Sequence, residues 1–253
     1  MPRASLKTIV AYCDRLLRIR AINDYDGAFN GLQVENGGAI KRVAAAVDAS
    51  LSTARLAVEA GANLLLVHHG LFWNSRQPWT GANYRLFRFL LENDLAVYSA
   101  HLPLDLHPRL GNNAQLCRAL GFKSLQPFFF QRNQYLGFKT RTALSRQELA
   151  DRLLKAARGK VTLLPGGAAM CRIVGVVTGG AGSELKSATS EGVDTFITGE
   201  GPHWTHTLAE ELGVNVFYGG HYATETFGVK ALAAEISKRF AVPWTFVHHP
   251  SGL

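Results

Sequence analysis

Two adjacent histidines, His68 and His69, follow the apolar run Leu64–Val67 and precede Gly70. A pair of imidazoles at the end of a buried strand fits metal ligation, phosphate binding or proton transfer. Three further groups share that setting. His101 is followed four residues later by Asp105, Glu200 stands in TGE, and His221 is followed four residues later by Glu225. Adjacent side chains of a strand point to opposite faces, so neighbours seldom serve one ion. Diverging at a strand end where Gly70 frees the backbone, two imidazoles can instead serve two ions ~3.5–4 Å apart, as two-metal hydrolytic sites require. Asp105 and Glu225 are the candidates for a bridging carboxylate. Taken singly, each residue has a structural role open to it: a packed histidine, a first-turn acid, a turn former. Taken together, polar groups repeated at corresponding strand ends cost free energy unless they are partnered.

The remaining histidines lack such company. His107 falls in a Pro-containing turn, His203 and His206 on a helix surface (His203 close enough to Glu200 for a second layer around the site), and His248 and His249 end the last strand with no carboxylate nearby. VTGGAGSEL (177–185) reads as strand, tight glycine turn and helix start. Its exposed N–H groups suit an anion, but it matches neither the P-loop nor the dinucleotide fingerprint.

The elements that must position these residues alternate as in an α/β protein. Strands are expected over 43–47, 64–67, 95–99, 173–177, 195–197, 214–217 and 244–247. Helices are expected over 52–60, 84–91, 113–120, 146–157, 184–191, 203–212 and 224–237, after an amphipathic helix near the N-terminus. Residues 128–142 read as β structure. Two stretches resemble each other: VAAAVDASLSTARLAVEAGANLLLVHHG (43–70) and IVGVVTGGAGSELKSATSEGVDTFITGE (173–200). DLAVYSAHLPLD (94–105) and VNVFYGGHYATE (214–225) form a second match, which repeats the histidine and the carboxylate. The expectation is two related α/β lobes, 1–125 plus 225–253 and 126–224. The metal site would lie between them at the carboxyl ends of the strands, where such folds place ligands.

The 253 residues, 47% hydrophobic and 18% charged, have the composition of a soluble globular protein. No apolar run reaches the roughly 20 residues of a membrane span, and no secretory signal is legible. Three separated cysteines, Cys13, Cys117 and Cys171, point to reduced thiols and a cytoplasmic setting. The net charge of +8 suits anionic partners, yet the basic residues are scattered and form no nucleic-acid-binding arm.

VHHG, AHLPLD with GNNAQL, GGAGSEL, TGE and GGHYATE together resemble the dinuclear-metal-centre hexameric proteins labelled GTP cyclohydrolase 1 type 2-like, the NGG-interacting-factor-three-like family. The chain is similar to the short bacterial form over nearly its whole length. The resemblance implies two metal ions held by His68, His69, Asp105, His221 and Glu225. It places His101 and Glu200 in the same site, in a second layer or as proton carriers. It also implies a ring-shaped homohexamer. Two divalent ions per chain, drawn from Zn, Fe, Mn, Co or Ni, would make the protein a metal-dependent hydrolase of an anionic nucleotide. The alternatives are a non-enzymatic regulatory or nucleic-acid-binding ring, or a metal chaperone.

Overall fold

The computed structural model describes residues 4–73 and 78–252. The chain runs α1 (Leu6–Leu16), β1 (Gly31–Val34), β2 (Val43–Asp48), α2 (Leu51–Glu59), β3 (Leu64–His69), α3 (Gly81–Glu92) and β4 (Ala96–Ser99). There follow a single turn, α4 (Leu102–Asp105), then α5 (Asn112–Ala119), β5 (Gln126–Gln131), β6 (Gln134–Ser145), α6 (Arg146–Ala157), β7 (Thr162–Pro165) and β8 (Met170–Val176). A 3-10 turn, Ala181–Glu184, leads into α7 (Leu185–Ser190), β9 (Thr195–Thr198), α8 (Thr205–Leu212), β10 (Asn215–Tyr218), α9 (His221–Phe240) and β11 (Trp244–Phe246).

Two compact units result, one of residues 1–104 and 228–249, the other of 105–227 and 250–253. The first holds a five-stranded sheet in the order β1-β4-β3-β2-β11, parallel except for β1 at its edge. Its core strands read as continuous apolar runs because both faces are covered. Ala44, Ala46, Leu65, Val67 and Val97 pack with Ala54, Ala57 and Leu90 of the helices. Helix α2 starts in a reciprocal capping box of Ser50 and Thr53.

The second unit holds a six-stranded sheet in the order β5-β6-β8-β9-β10-β7. β8, β9 and β10 are parallel and the outer strands antiparallel. Three successive parallel strands joined by helices therefore occur in each unit, β2-β3-β4 and β8-β9-β10. That is the repeat legible in the sequence. Ser145 and Glu148 form the capping box that starts α6 at Arg146.

Residues 105–125, expected in the first lobe, pack in the second unit. Leu116, Cys117 and Leu120 share a core with Leu149, Val174 and Ile197. Asn113 donates to the carbonyl of Leu136 at 2.8 Å and accepts from the amide of Thr178 at 2.8 Å. Among the described residues no helix is long and apolar enough to cross a membrane.

Candidate metal centre

In the first unit, β3 ends in His68 and His69, and His101 follows β4. One ligand nitrogen from each of these three residues lies within 4.8 Å of the other two. The His68 and His69 rings do not diverge. Their centroids are 4.8 Å apart at a 45° tilt, because the flanking strands hold each ring from its own side. His68 Nδ1 lies 3.0 Å from the carbonyl oxygen of Ala100, just past β4. His69 Nδ1 lies 2.8 Å from Oδ1 of Asp48, at the end of β2. His101 Nδ1 lies 2.8 Å from Oδ1 of Asp24.

Asp24 is itself fixed by the Asn30 side chain at 2.7 Å and the Leu102 amide at 3.1 Å. Burial raises the Asp24 carboxyl pKa, but the hydrogen bond and charge of His101, with Asn30 and the Tyr25 amide, outweigh it and leave the carboxyl below its ordinary value. Gly70 serves by close approach and not by an unusual φ. A Cβ there would sit 2.7 Å from the Cβ of Ser99 and collide with the Gln33 amide.

In the second unit, Glu200 follows β9, and His221 opens α9 after β10. His221 Nδ1 lies 2.8 Å from Oε1 of Glu200, and its Nε2 lies 3.2 Å from Oε2 of Glu225, one helical turn along. Burial lowers the imidazole pKa, but Glu225 and then Glu200, by hydrogen bond and charge, push it up to about 9. The two carboxylates thus surround the imidazole with negative charge.

The glycine turn proves to be the wall of this cluster. Gly179 has φ +76°, and a Cβ on it would collide with Oε1 of Glu225. Its amide donates to Oγ1 of Thr224 at 3.1 Å. Asp105 is buried in the same unit and accepts from the Asn112 side chain at 2.8 Å.

One pattern unites the two clusters. All four imidazoles, His68, His69, His101 and His221, have Nδ1 against a carbonyl or carboxylate oxygen, which can only accept. Nδ1 therefore donates, and in the neutral ring the lone pair resides on Nε2. Metal-ligating histidines are oriented in this way. The donor chemistry, imidazole nitrogen with carboxylate oxygen, fits a divalent first-row ion.

Reading the sequence picks out the imidazoles and misses Asp24, Asp48 and Asn112, the groups that aim them or hold Asp105. Of the other histidines, His248 and His249 are exposed. His206 faces Glu210 at 3.8 Å on the surface of α8. His107 accepts the amides of Arg109 and Leu110 within its turn.

The family described as Duf34/NIF3 (NGG1p interacting factor 3) matches residues 4–251. A Deinococcus radiodurans protein named GTP cyclohydrolase 1 type 2 homolog is 43% identical over 97% of this chain and 93% of its own. An Archaeoglobus fulgidus protein of the same name is 38% identical over 98% of this chain and 100% of its own. Among solved structures, TTHA1606 from Thermus thermophilus is similar with a TM-score of 0.91 at 38% identity, over 98% of this chain and 100% of that one.

Proposed function

Because the chain belongs to the Duf34/NIF3 family, we propose that it binds two divalent metal ions through His68, His69, Asp105, His221 and Glu225, and uses them to hydrolyse a nucleotide. The observation that carries this reading is the common Nδ1 anchoring of four imidazoles, which buried packing alone does not ask for. To these five we add His101 as a further ligand of the first cluster, since it offers a nitrogen within 4.8 Å of those of His68 and His69.

Divalent ions held by these residues would supply a water of lowered pKa and Lewis acidity toward the electrophile of the substrate. The chain's own groups do the rest. Asp48, Asp24 and Glu200 fix the rings of His69, His101 and His221. Glu200, partly open to solvent, is the residue to which we assign proton transfer to and from the bulk, while the buried Glu225 carboxylate faces Nε2 of His221.

The name shared by the relatives supports GTP as the first substrate to try, with the guanine five-membered ring as the target. The net charge of +8 favours a triphosphate. A homohexameric ring and a cytoplasmic setting complete the proposal, the latter supported by three buried free thiols. The test is turnover of GTP, followed by guanine absorbance, in metal-loaded and chelator-stripped protein. Turnover only in the loaded form supports the reading, and equal turnover in both contradicts it.

A further inference from the structure

The second unit carries a cavity of about 710 Å³ that the metal reading does not use. It opens beside Ile173 of β8 and the Glu191–Gly192 turn that precedes β9. That is the amino end of the parallel strands, whereas Glu200 and His221 follow the carboxyl ends of β9 and β10. Four cationic side chains line it: Lys123, Lys139, Arg141 and Arg152.

Two of them are held in place by main-chain oxygens. Lys139 donates to the carbonyl of Glu191 at 2.7 Å, and Arg152 donates to the carbonyl of Leu120 at 3.0 Å. Neither bond neutralises a charge, and the carboxylate that acts on Arg152 from its own helix is the exposed Glu148, one turn before it. Lys123 and Arg141 are exposed at the rim. Among the described residues Glu191 is the one acidic side chain in the lining, and the amides of Phe129 and Phe130 already donate to its carboxylate, at 3.0 and 2.6 Å.

The pairing of β6 with β8 breaks between Arg141 and Leu144, and the two residues of that irregularity, Thr142 and Ala143, both face the cavity. Arg141 stands two positions from Lys139 and so shares its face of the strand, and the β-bulge begins directly after it. The volume falls in the range of a small-molecule site, and the excess of cations over a single engaged carboxylate selects anions.

We infer that this cavity is a second binding site, for a small molecule carrying two or more phosphate groups. The inference stands apart from the metal centre and does not depend on it. The probe is inorganic pyrophosphate, titrated calorimetrically into the full-length protein at physiological ionic strength, where screening weakens chance surface binding.

Saturable binding at one equivalent per chain is expected. The Lys123→Ala, Arg141→Ala double variant, altered only at exposed positions, should bind at least tenfold more weakly, and the Lys123→Arg, Arg141→Lys exchange should restore most of the affinity. The His68→Ala, Glu225→Gln variant should bind pyrophosphate as the parent does. Absence of saturable binding, or indifference to the double alanine variant, would overturn the inference. So would loss of binding in His68→Ala, Glu225→Gln, which would assign the anion to the metal centre. Displacement of pyrophosphate by a single-stranded RNA oligonucleotide, with affinity falling steeply in salt, would replace the small ligand by nucleic acid.

Discussion

Asp24 holds His101 by a 2.8 Å contact between Oδ1 and Nδ1, across 77 positions of sequence. The carboxylate also accepts from Asn30 and from the amides of Tyr25 and Leu102, so the loop before β1 is built around it. His101 is thereby delivered to the nitrogens of His68 and His69 with its tautomer set.

Loss of that orientation has a measurable cost. Asp24→Asn is expected to weaken metal binding by about ten- to a hundredfold, the usual effect of removing a carboxylate that orients a ligating histidine. Chelator competition reads this directly. Unchanged affinity would separate His101 from the metal site.

Gly179 and Gly192 offer a matched comparison. Both have positive φ, +76° and +81°, but a Cβ on Gly179 would meet Glu225 whereas one on Gly192 would meet nothing within 4 Å. Gly192→Ala should cost only the left-handed backbone penalty of about 1–2 kcal/mol, with metal retained. Gly179→Ala should lose the metal as well, because Glu225 must move. Denaturant unfolding beside metal analysis distinguishes the two, and full metal content in Gly179→Ala would refute the role given to the turn.

Asn113 is a buried tie. It donates to the carbonyls of Asp105 and Leu136 and accepts from the Thr178 amide, next to Gly179. Asn113→Ala removes all three of these buried hydrogen bonds. At about 0.5–1.5 kcal/mol for each lost bond, a stability loss of a few kcal/mol is expected. A loss under about 1 kcal/mol in urea unfolding would show that the tie is dispensable.

The thiols should be inert while the chain is folded. Burial pushes the Cys117 thiol up to about 12, and burial, with the Asp14 charge, raises that of Cys13 further. The reactive thiolate forms only as pH approaches the pKa, so at pH 8 a thiol reagent should modify none of the three cysteines before unfolding and all three after it. Rapid labelling of the native protein would contradict the burial.

What the sequence makes legible is local. The parallel strands carry continuous apolar runs, and the histidines stand immediately beyond them, so VHHG and GGHYATE can be read within single segments. The groups that aim the imidazoles cannot be read so, because Asp24 and Asp48 reach His101 and His69 from 77 and 21 positions away. Edge strands β1 and β7, four residues each, give too short a pattern. The β stretch expected over 128–142 is a hairpin of β5 and β6. Its turn is set by Arg132 and Asn133 at φ +51° and +59°, of which only the Asn is a usual turn residue. The helix expected over 184–191 is the shorter Leu185–Ser190, because a 3-10 turn over Ala181–Glu184 first carries the chain away from the glycine turn.

Elemental analysis of the purified protein, beside the His68→Ala, Glu225→Gln variant, tests the metal centre most directly. Two transition-metal ions per chain in the parent, lost from a variant that remains folded, is the predicted result. No bound metal after reconstitution, or the same metal content in the variant, would contradict it.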